Sequence, residues 1–204
     1  MKSLKEFLSE AKVPTFTKDI DGIKAFCEYV FNEQFEKWTV NPDLTITLEP
    51  NGPSKNLHMD TKDLTEIPDF IVFSGVENVR LCCGVEPNCK IKTWKPRVNG
   101  CCGGIVVESR PKINKLDLSE CEIRNGYLYV EKTGIESIVG AHGEGVQVYI
   151  MNNKNLETLD IKGIKSCAPG SWLKNNKKLD VNPSDLPKDI RVEKNAKNEK
   201  IYVS

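Results

Sequence analysis

The sequence predicts a mainly β fold, in which short strands form a solenoid of about 21 residues per coil behind an N-terminal α-helical cap. Three observations predict it. Apolar-x-apolar triplets recur from residue 44 onward, they return at regular spacing, and a helical apolar pattern precedes them. Both a leucine-rich-repeat-like solenoid and a β-helix-like solenoid are consistent with this pattern.

The helical pattern occupies the N-terminal part of the chain. A first amphipathic stripe precedes Pro14 and consists of Leu4, Phe7, Leu8 and Ala11. A second helix is predicted over about residues 19–36, with Asp19 or Asp21 as its N-cap and Asn41-Pro42-Asp43 after its end. Such a helix would cover the apolar side chains and strand edges of the first coil.

The triplets are read as minimal strands whose first and third residues face inward. They are Leu44-Thr45-Ile46, Leu57-His58-Met59, Phe70-Ile71-Val72, Val79-Arg80-Leu81, Ile105-Val106-Val107, Leu116-Asp117-Leu118, Leu128-Tyr129-Val130, Val148-Tyr149-Ile150, Leu159-Asp160-Ile161, Leu179-Asp180-Val181 and Ile190-Arg191-Val192.

The spacing of the apolar positions favours a solenoid. Leu116, Ile138, Leu159 and Leu179 follow one another at steps of 22, 21 and 20 residues. Residues 113–123 also match the leucine-rich-repeat pattern, with Cys121 at its Asn/Cys position. The alternative is a β-sandwich, whose strands are usually longer and less regularly spaced. We therefore expect a helical cap over 11–43, a β-solenoid over 44–192 and a frayed C-terminal tail over 193–204.

Composition excludes two classes of partner. Lys and Arg total 29 against 29 Asp and Glu, so the net charge is zero and strong nucleic-acid binding is not expected. No apolar run approaches the roughly 20 residues of a membrane span, and no membrane partner is expected. The 8 cysteines are expected to be thiols or metal ligands in a reducing compartment.

The cysteine cluster leaves two hypotheses open. A zinc site would use Cys82, Cys89, Cys101 and Cys102, because zinc is held by up to four thiolates. The cluster lacks a C-x-x-C pair, and adjacent cysteines in a strand point to opposite faces. Buried thiols that act as small apolar side chains are the favoured interpretation, so no cofactor is predicted.

His142 and the aromatic residues are the remaining candidates. His142 lies in a glycine-rich segment with Glu144 beside it and would be the general base of an enzyme, but no motif partner accompanies it. Tyr129 and Tyr149 occupy the centres of their triplets, so they are expected to face outward and, with Trp172, to form a partner-binding surface. The other aromatic residues expected to be exposed are Trp94 and Tyr127.

The N-terminus, Met1-Lys2-Ser3-Leu4-Lys5-Glu6-Phe7-Leu8-Ser9-Glu10-Ala11-Lys12-Val13, resembles the capsid-targeting sequence of the internal head proteins of T-even-type bacteriophages. The matching positions are Met1, Lys2, Glu6, Phe7, Glu10, Ala11 and Val13. Leu4 and Lys5 depart from the commonest form of the pattern. The alternative is that this stretch is only an amphipathic helix that packs on the cap.

The resemblance implies that residues 1–10 form a cleavable capsid-targeting peptide. In that family the peptide directs the protein into the prohead scaffold, and a prohead protease cuts after an L/I-x-E site. Leu8-Ser9-Glu10 fits this site, with cleavage between Glu10 and Ala11. The implied location is the capsid interior of the virion and then the host cytoplasm.

The repeat pattern favours a non-catalytic protein-binding module, and the resemblance implies a phage internal head protein that is delivered to the host and acts on an unknown host protein in takeover or counter-defence. Two alternatives stay open. One is a small injected enzyme that uses the Cys-rich segment or His142, and the other is a structural head component.

Overall fold

The computed structural model describes residues 14–31, 36–50, 56–61, 63–83, 90–109, 112–193, 195 and 200–203. The chain is a mainly β protein built as a parallel β-solenoid of about 6 turns, with about 22 residues per turn and a helix near the N-terminus. This confirms the predicted solenoid. Among the described residues, no helix is long and apolar enough to cross a membrane.

Helix α1 spans Ile20–Val30 and lies over the first turn. The carboxylate of Asp19 accepts the Gly22 N–H at 2.7 Å, which confirms the predicted cap, and this hydrogen bond, followed by that of Thr17, lowers the pKa of Asp19. The predicted continuation to residue 36 was wrong. The Val30 carbonyl accepts the N–H of Asp60 at 2.7 Å, and residue 31 is already extended.

The strands form three sheets. They are β1 Glu36–Val40, β2 Thr45–Pro50, β3 Asn56–Met59, β4 Val72–Ser74, β5 Arg80–Cys83, β6 Thr93–Trp94, β7 Val98–Asn99, β8 Cys101–Glu108, β9 Lys115–Asp117, β10 Glu122–Glu131, β11 Ser137–Val139, β12 His142–Glu144, β13 Gln147–Met151, β14 Thr158–Leu159, β15 Gly163–Ile164, β16 Ser166–Lys174, β17 Lys188–Glu193 and β18 Lys200–Val203. A 3-10 helix at Pro183–Asp185 precedes β17.

The long sheet has the order β18-β17-β16-β13-β10-β8-β5-β3, with β12 and β15 attached beside it. The first sheet is β1-β2-β4-β7, and the third sheet is β14-β11-β9-β6. Within the described strands, pairing is parallel except at the two ends, where β1 pairs with β2 and β18 with β17 antiparallel. The C-terminal tail, predicted to be frayed, therefore contains a strand.

Strand β10 bends across a corner of the coil. Its first part pairs with β12 and its last part with β13. At this corner the backbones of two successive turns lie very close together. A Cβ on Gly126 would lie 1.8 Å from the Gly103 carbonyl oxygen, so only glycine fits there. The corner thus requires a residue without a side chain.

The core lies along the axis of the solenoid and includes most of the inward residues of the triplets, although Leu44, Leu159 and Val181 are only partly buried. In β13, for example, Val148 and Ile150 are fully buried. The Phe70 triplet is an exception. There Ile71 and Phe73 are buried instead, because a turn from Pro68 to Ile71 shifts the alternation by one residue.

An asparagine ladder closes the corner that follows the long sheet. Asn153 Oδ1 accepts the N–H of Thr133 at 3.0 Å, Asn176 Oδ1 accepts the N–H of Asn153 at 3.1 Å, and Asn195 Oδ1 accepts the N–H of Asn176 at 2.8 Å. Each amide also donates to a main-chain carbonyl of the preceding strand, namely that of Val130, Ile150 or Leu173. The ladder supplies acceptors for the buried main-chain N–H groups of Thr133, Asn153 and Asn176 just beyond the ends of the strands.

Candidate functional site: the aromatic face

Four aromatic side chains lie together on the outer side of the long sheet, and we call this surface the aromatic face. It consists of Tyr127, Tyr129, Tyr149 and Trp172. Tyr129 is in register with Tyr149 in the next strand, and Tyr149 with Trp172 in the strand after that. The side chains between them on each strand are buried, so the alternation of the strand directs these four outward. All four are partly exposed.

The rings contact one another and nearby cations. The ring centroids of Tyr129 and Tyr149 are 5.9 Å apart, with 54° between their planes. At one end of the face, the guanidinium carbon of Arg80 lies 3.8 Å from the centroid of the Tyr127 ring. At the other end, Trp172 has two cations at 5.1 Å from its ring centroid, Lys174 Nζ and Arg191 Cζ.

A carboxylate anchors the middle of the aromatic face. The Tyr129 hydroxyl donates to Glu131 Oε2 at 2.5 Å, and Asn152 Nδ2 donates to Glu131 Oε1 at 2.9 Å. These hydrogen bonds, that of Tyr129 above all, lower the pKa of Glu131. The same contact raises the pKa of Tyr129, so the phenol stays protonated and held in one orientation.

The structure brings together the three residues predicted for the binding surface, and it places Tyr127 beside them. Trp94 was wrongly expected to be exposed, since it is fully buried. The cations of the face were missed. The signal for two of them was present, because Arg80 and Arg191 occupy the same central triplet position as Tyr129.

The cysteine cluster is split between two sides of the strand. Cys101 and Cys102 are in register with Glu122 and Ile123, so their side chains point to opposite faces, as expected for a doublet. Cys82, Cys101 and Cys102 are all buried. Within the described part of the chain, no group of three His, Cys, Asp or Glu residues could hold a metal ion. The remaining zinc candidate, Cys89, lies outside the described residues.

His142 lines a shallow groove of about 390 Å³ on another side of the solenoid. Its Nδ1 lies 2.9 Å from the Gly140 carbonyl oxygen, so Nδ1–H donates to the main chain. In the residues that the structure describes, His142 has no hydrogen bond to a cysteine, a serine or a carboxylate. Glu120 in the same groove is paired with Lys95 at 2.6 Å and with Arg97 at 2.9 Å, and Lys95 above all lowers its pKa. The Nδ1 hydrogen bond holds the ring in one orientation, and a role of His142 as a general base stays a prediction.

The predicted cleavage residues Leu8, Glu10 and Ala11 lie outside the described residues. Comparison of the chain with protein-family models, with curated proteins and with solved structures finds no match. The functional proposal therefore depends on the chain's own residues.

Proposed function

We propose that this chain is a phage internal head protein that is packaged in the capsid, delivered to the host, and binds a host protein without catalysis. The single observation that supports the binding activity is the register of Tyr129, Tyr149 and Trp172 on three adjacent strands. The N-terminal resemblance supports packaging and delivery.

The composition of the aromatic face is typical of interface hot spots. Such spots are enriched in Trp, Tyr and Arg and lie in well-packed surroundings. Neighbouring strands are about 4.8 Å apart, so the three rings form one continuous surface across the coils. The parallel ladder beneath and the Tyr129–Glu131 hydrogen bond hold this surface before a partner arrives. Preorganisation lowers the entropic cost of binding.

Charge indicates the chemistry of the partner. Arg80 lies at one end of the aromatic face, and Lys174 and Arg191 lie at the other. The carboxylate of Glu131 between them is already engaged by Tyr129 and Asn152. Lys174 is paired with Glu193 at 3.2 Å, so a complementary partner presents an apolar or aromatic segment with carboxylates that face Arg80.

The test of binding uses the wild-type full chain and two double variants as baits in a host lysate. The captured partner is then purified, and its affinity for each of the three proteins is measured. Tyr149→Ala with Trp172→Ala removes two of the four aromatic side chains of the face. Ser137→Ala with Thr158→Ala is the matched control, because these two residues lie in register on neighbouring strands of the third sheet. We expect the first variant to weaken binding at least about tenfold, since a hot-spot truncation costs about 2 kcal/mol or more.

The control variant should bind like the wild type, and circular dichroism should show that both variants are folded. Equal affinity of the wild type and the aromatic variant for the captured protein would overturn the proposed binding face. Salt dependence adds a second readout, because a partner that carries the proposed carboxylates should bind more weakly at high ionic strength.

Packaging has its own experiment. Mass spectrometry of purified virions should find a peptide that begins at Ala11, which would establish packaging and cleavage together. A chain that remains intact in infected cells and is absent from particles would contradict the targeting proposal. A phage that lacks the protein should still assemble normal particles, whereas defective assembly would favour a structural head component.

A further inference from the structure

Two buried thiols meet inside the solenoid at a place that the proposed function does not use. Cys102 on β8 and Cys121 before β10 belong to successive turns, and both side chains are fully buried. Their sulfur atoms are 3.2 Å apart. From this geometry we propose that Cys102 and Cys121 are a modification site, a dithiol that peroxide converts into a disulfide joining two successive turns.

The approach that the bond requires is short. A disulfide has an S–S length of about 2.05 Å, so the sulfur atoms must move about 1.2 Å closer. Cys102 is in register with Ile123, and Cys121 precedes Ile123 by two residues, on the same inward side of the coil. Rotation about the side-chain bonds is the motion available, because both backbones are held by hydrogen bonds. The Cys121 N–H, for example, donates to the Leu118 carbonyl at 3.1 Å.

The two sulfurs are electronically unequal, which assigns their roles. Either thiol can donate to the other, and donation from Cys121 to a Cys102 thiolate lowers the pKa of Cys102. The same contact, together with burial, raises the pKa of Cys121. Cys102 is therefore the attacking thiolate and Cys121 the resolving thiol.

The chemistry balances in two steps. The Cys102 thiolate attacks peroxide, an S–O bond forms as the O–O bond breaks, and the departing hydroxide takes up a proton to become water. The Cys121 sulfur then attacks the Cys102 sulfur, and the S–S bond forms as the S–O bond breaks. The hydroxyl leaves as water with the Cys121 proton. In sum, two thiols and one hydrogen peroxide give one disulfide and two waters.

Two other described thiols supply an internal comparison. Cys27 packs in the helical cap, and burial raises its pKa to about 12. Cys167 is buried further along the solenoid, and burial raises its pKa to about 11. Neither has the short sulfur–sulfur contact of the pair. Selective oxidation of the pair is therefore expected, with local opening of the coil admitting the small oxidant.

The experiment treats the native full-length protein with hydrogen peroxide and measures intact mass, free thiols and a peptide map. We expect a loss of two hydrogen masses, a fall of two in the thiol count, and a single cross-link between the peptides that contain Cys102 and Cys121. Dithiothreitol should reverse all three changes. The melting temperature should rise on oxidation, because the cross-link closes a loop between turns.

Cys121→Ser should abolish the cross-link, while Cys27→Ser, the matched control, should keep it. If Cys121→Ser does not fold, the peptide map of the wild-type protein decides alone. A cross-link between any other two cysteines overturns the proposal. So does a native protein whose thiol count stays constant, or one in which Cys102 acquires oxygen atoms without pairing.

Discussion

Removal of one rung of the asparagine ladder should destabilise the whole solenoid, and the effect can be worked out from Asn153. Its side chain is fully buried. Asn153 Oδ1 accepts the main-chain N–H of Thr133 at 3.0 Å and the hydroxyl of Thr133 at 2.7 Å. Asn153 Nδ2 donates to the Val130 carbonyl at 3.0 Å. Asn153→Ala leaves the main-chain N–H and the hydroxyl of Thr133 buried without their acceptor.

The magnitude follows from the cost of such groups. A buried polar group that loses its partner costs about 1–3 kcal/mol, so two of them give a loss of about 4 kcal/mol in the free energy of unfolding. This is a large share of the 5–15 kcal/mol that a typical domain has. With a urea m-value of about 2 kcal/mol per molar, the midpoint of unfolding should fall by about 2 M.

Urea unfolding followed by circular dichroism measures this loss. Asn155→Ala is the matched control, because Asn155 lies exposed in the same turn and its replacement should change the free energy of unfolding by less than about 0.5 kcal/mol. Thr133→Val should fall between the two, at about 1–2 kcal/mol, since it removes the hydroxyl that Ile135 N–H and Asn153 use. A loss below about 1 kcal/mol in Asn153→Ala would refute the reasoning, because it would mean that water satisfies the N–H and the hydroxyl of Thr133.

Three further outcomes test other parts of the structure. Gly126→Ala should prevent folding, because the new Cβ would lie 1.8 Å from the Gly103 carbonyl oxygen. Gly100→Ala has free space around the new Cβ but a backbone φ of +98°. A urea titration should therefore show that it lowers the free energy of unfolding by only about 1–2 kcal/mol. Glu131 has a folded pKa below its ordinary 4.5, so its contribution to stability should be present above about pH 4.5 and disappear as the pH falls through the folded pKa. Glu131→Gln should therefore reduce the acid dependence of the melting temperature between pH 7 and pH 3. Tyr129→Phe should raise the pKa of Glu131 towards its ordinary value, which carboxyl titration by NMR can measure, and should leave the solenoid folded.

The inward positions could be predicted from the sequence because alternation along a strand is a local property. The side chains of Leu128 and Val130 are buried, as are those of Ile190 and Val192, in agreement with the triplets. The Phe70 triplet could not be predicted, since a turn placed one residue away shifts the whole alternation. The end of α1 was also beyond prediction, because the contact of Val30 with Asp60 joins residues thirty positions apart.

The ladder was missed although its signal is visible. Each rung follows the last buried residue of its strand by three positions, as Asn153 follows Ile150 and Asn176 follows Leu173. The leucine-rich pattern was instead assigned to residues 113–123, where Cys121 stands opposite Cys102. The ladder position of Asn153 matches that consensus only in part, because Gly145 and Asn155 stand where the pattern requires leucine. Asparagine at the ladder position needs a neighbour in the next coil, which no local pattern supplies.

The asparagine doublets also connect the fold to the aromatic face. The first member of each doublet adopts a left-handed backbone, with φ of +59° at Asn152 and +57° at Asn175, a conformation that asparagine tolerates better than most residues. Turned outward at the corner, Asn175 donates to Asn152, which donates to the Glu131 carboxylate that holds Tyr129.

One corner therefore serves two purposes. Its buried amides satisfy the main chain at the ends of the strands, and its outward amides orient the central tyrosine of the proposed binding surface. The outward amides therefore predict a variant that lowers affinity without unfolding the solenoid. Asn152→Gly relieves the left-handed backbone but breaks the outward chain, so it should lower affinity for the host partner while the free energy of unfolding changes by less than about 1 kcal/mol. Equal affinity in this variant would mean that Glu131 alone is sufficient to hold Tyr129 in place.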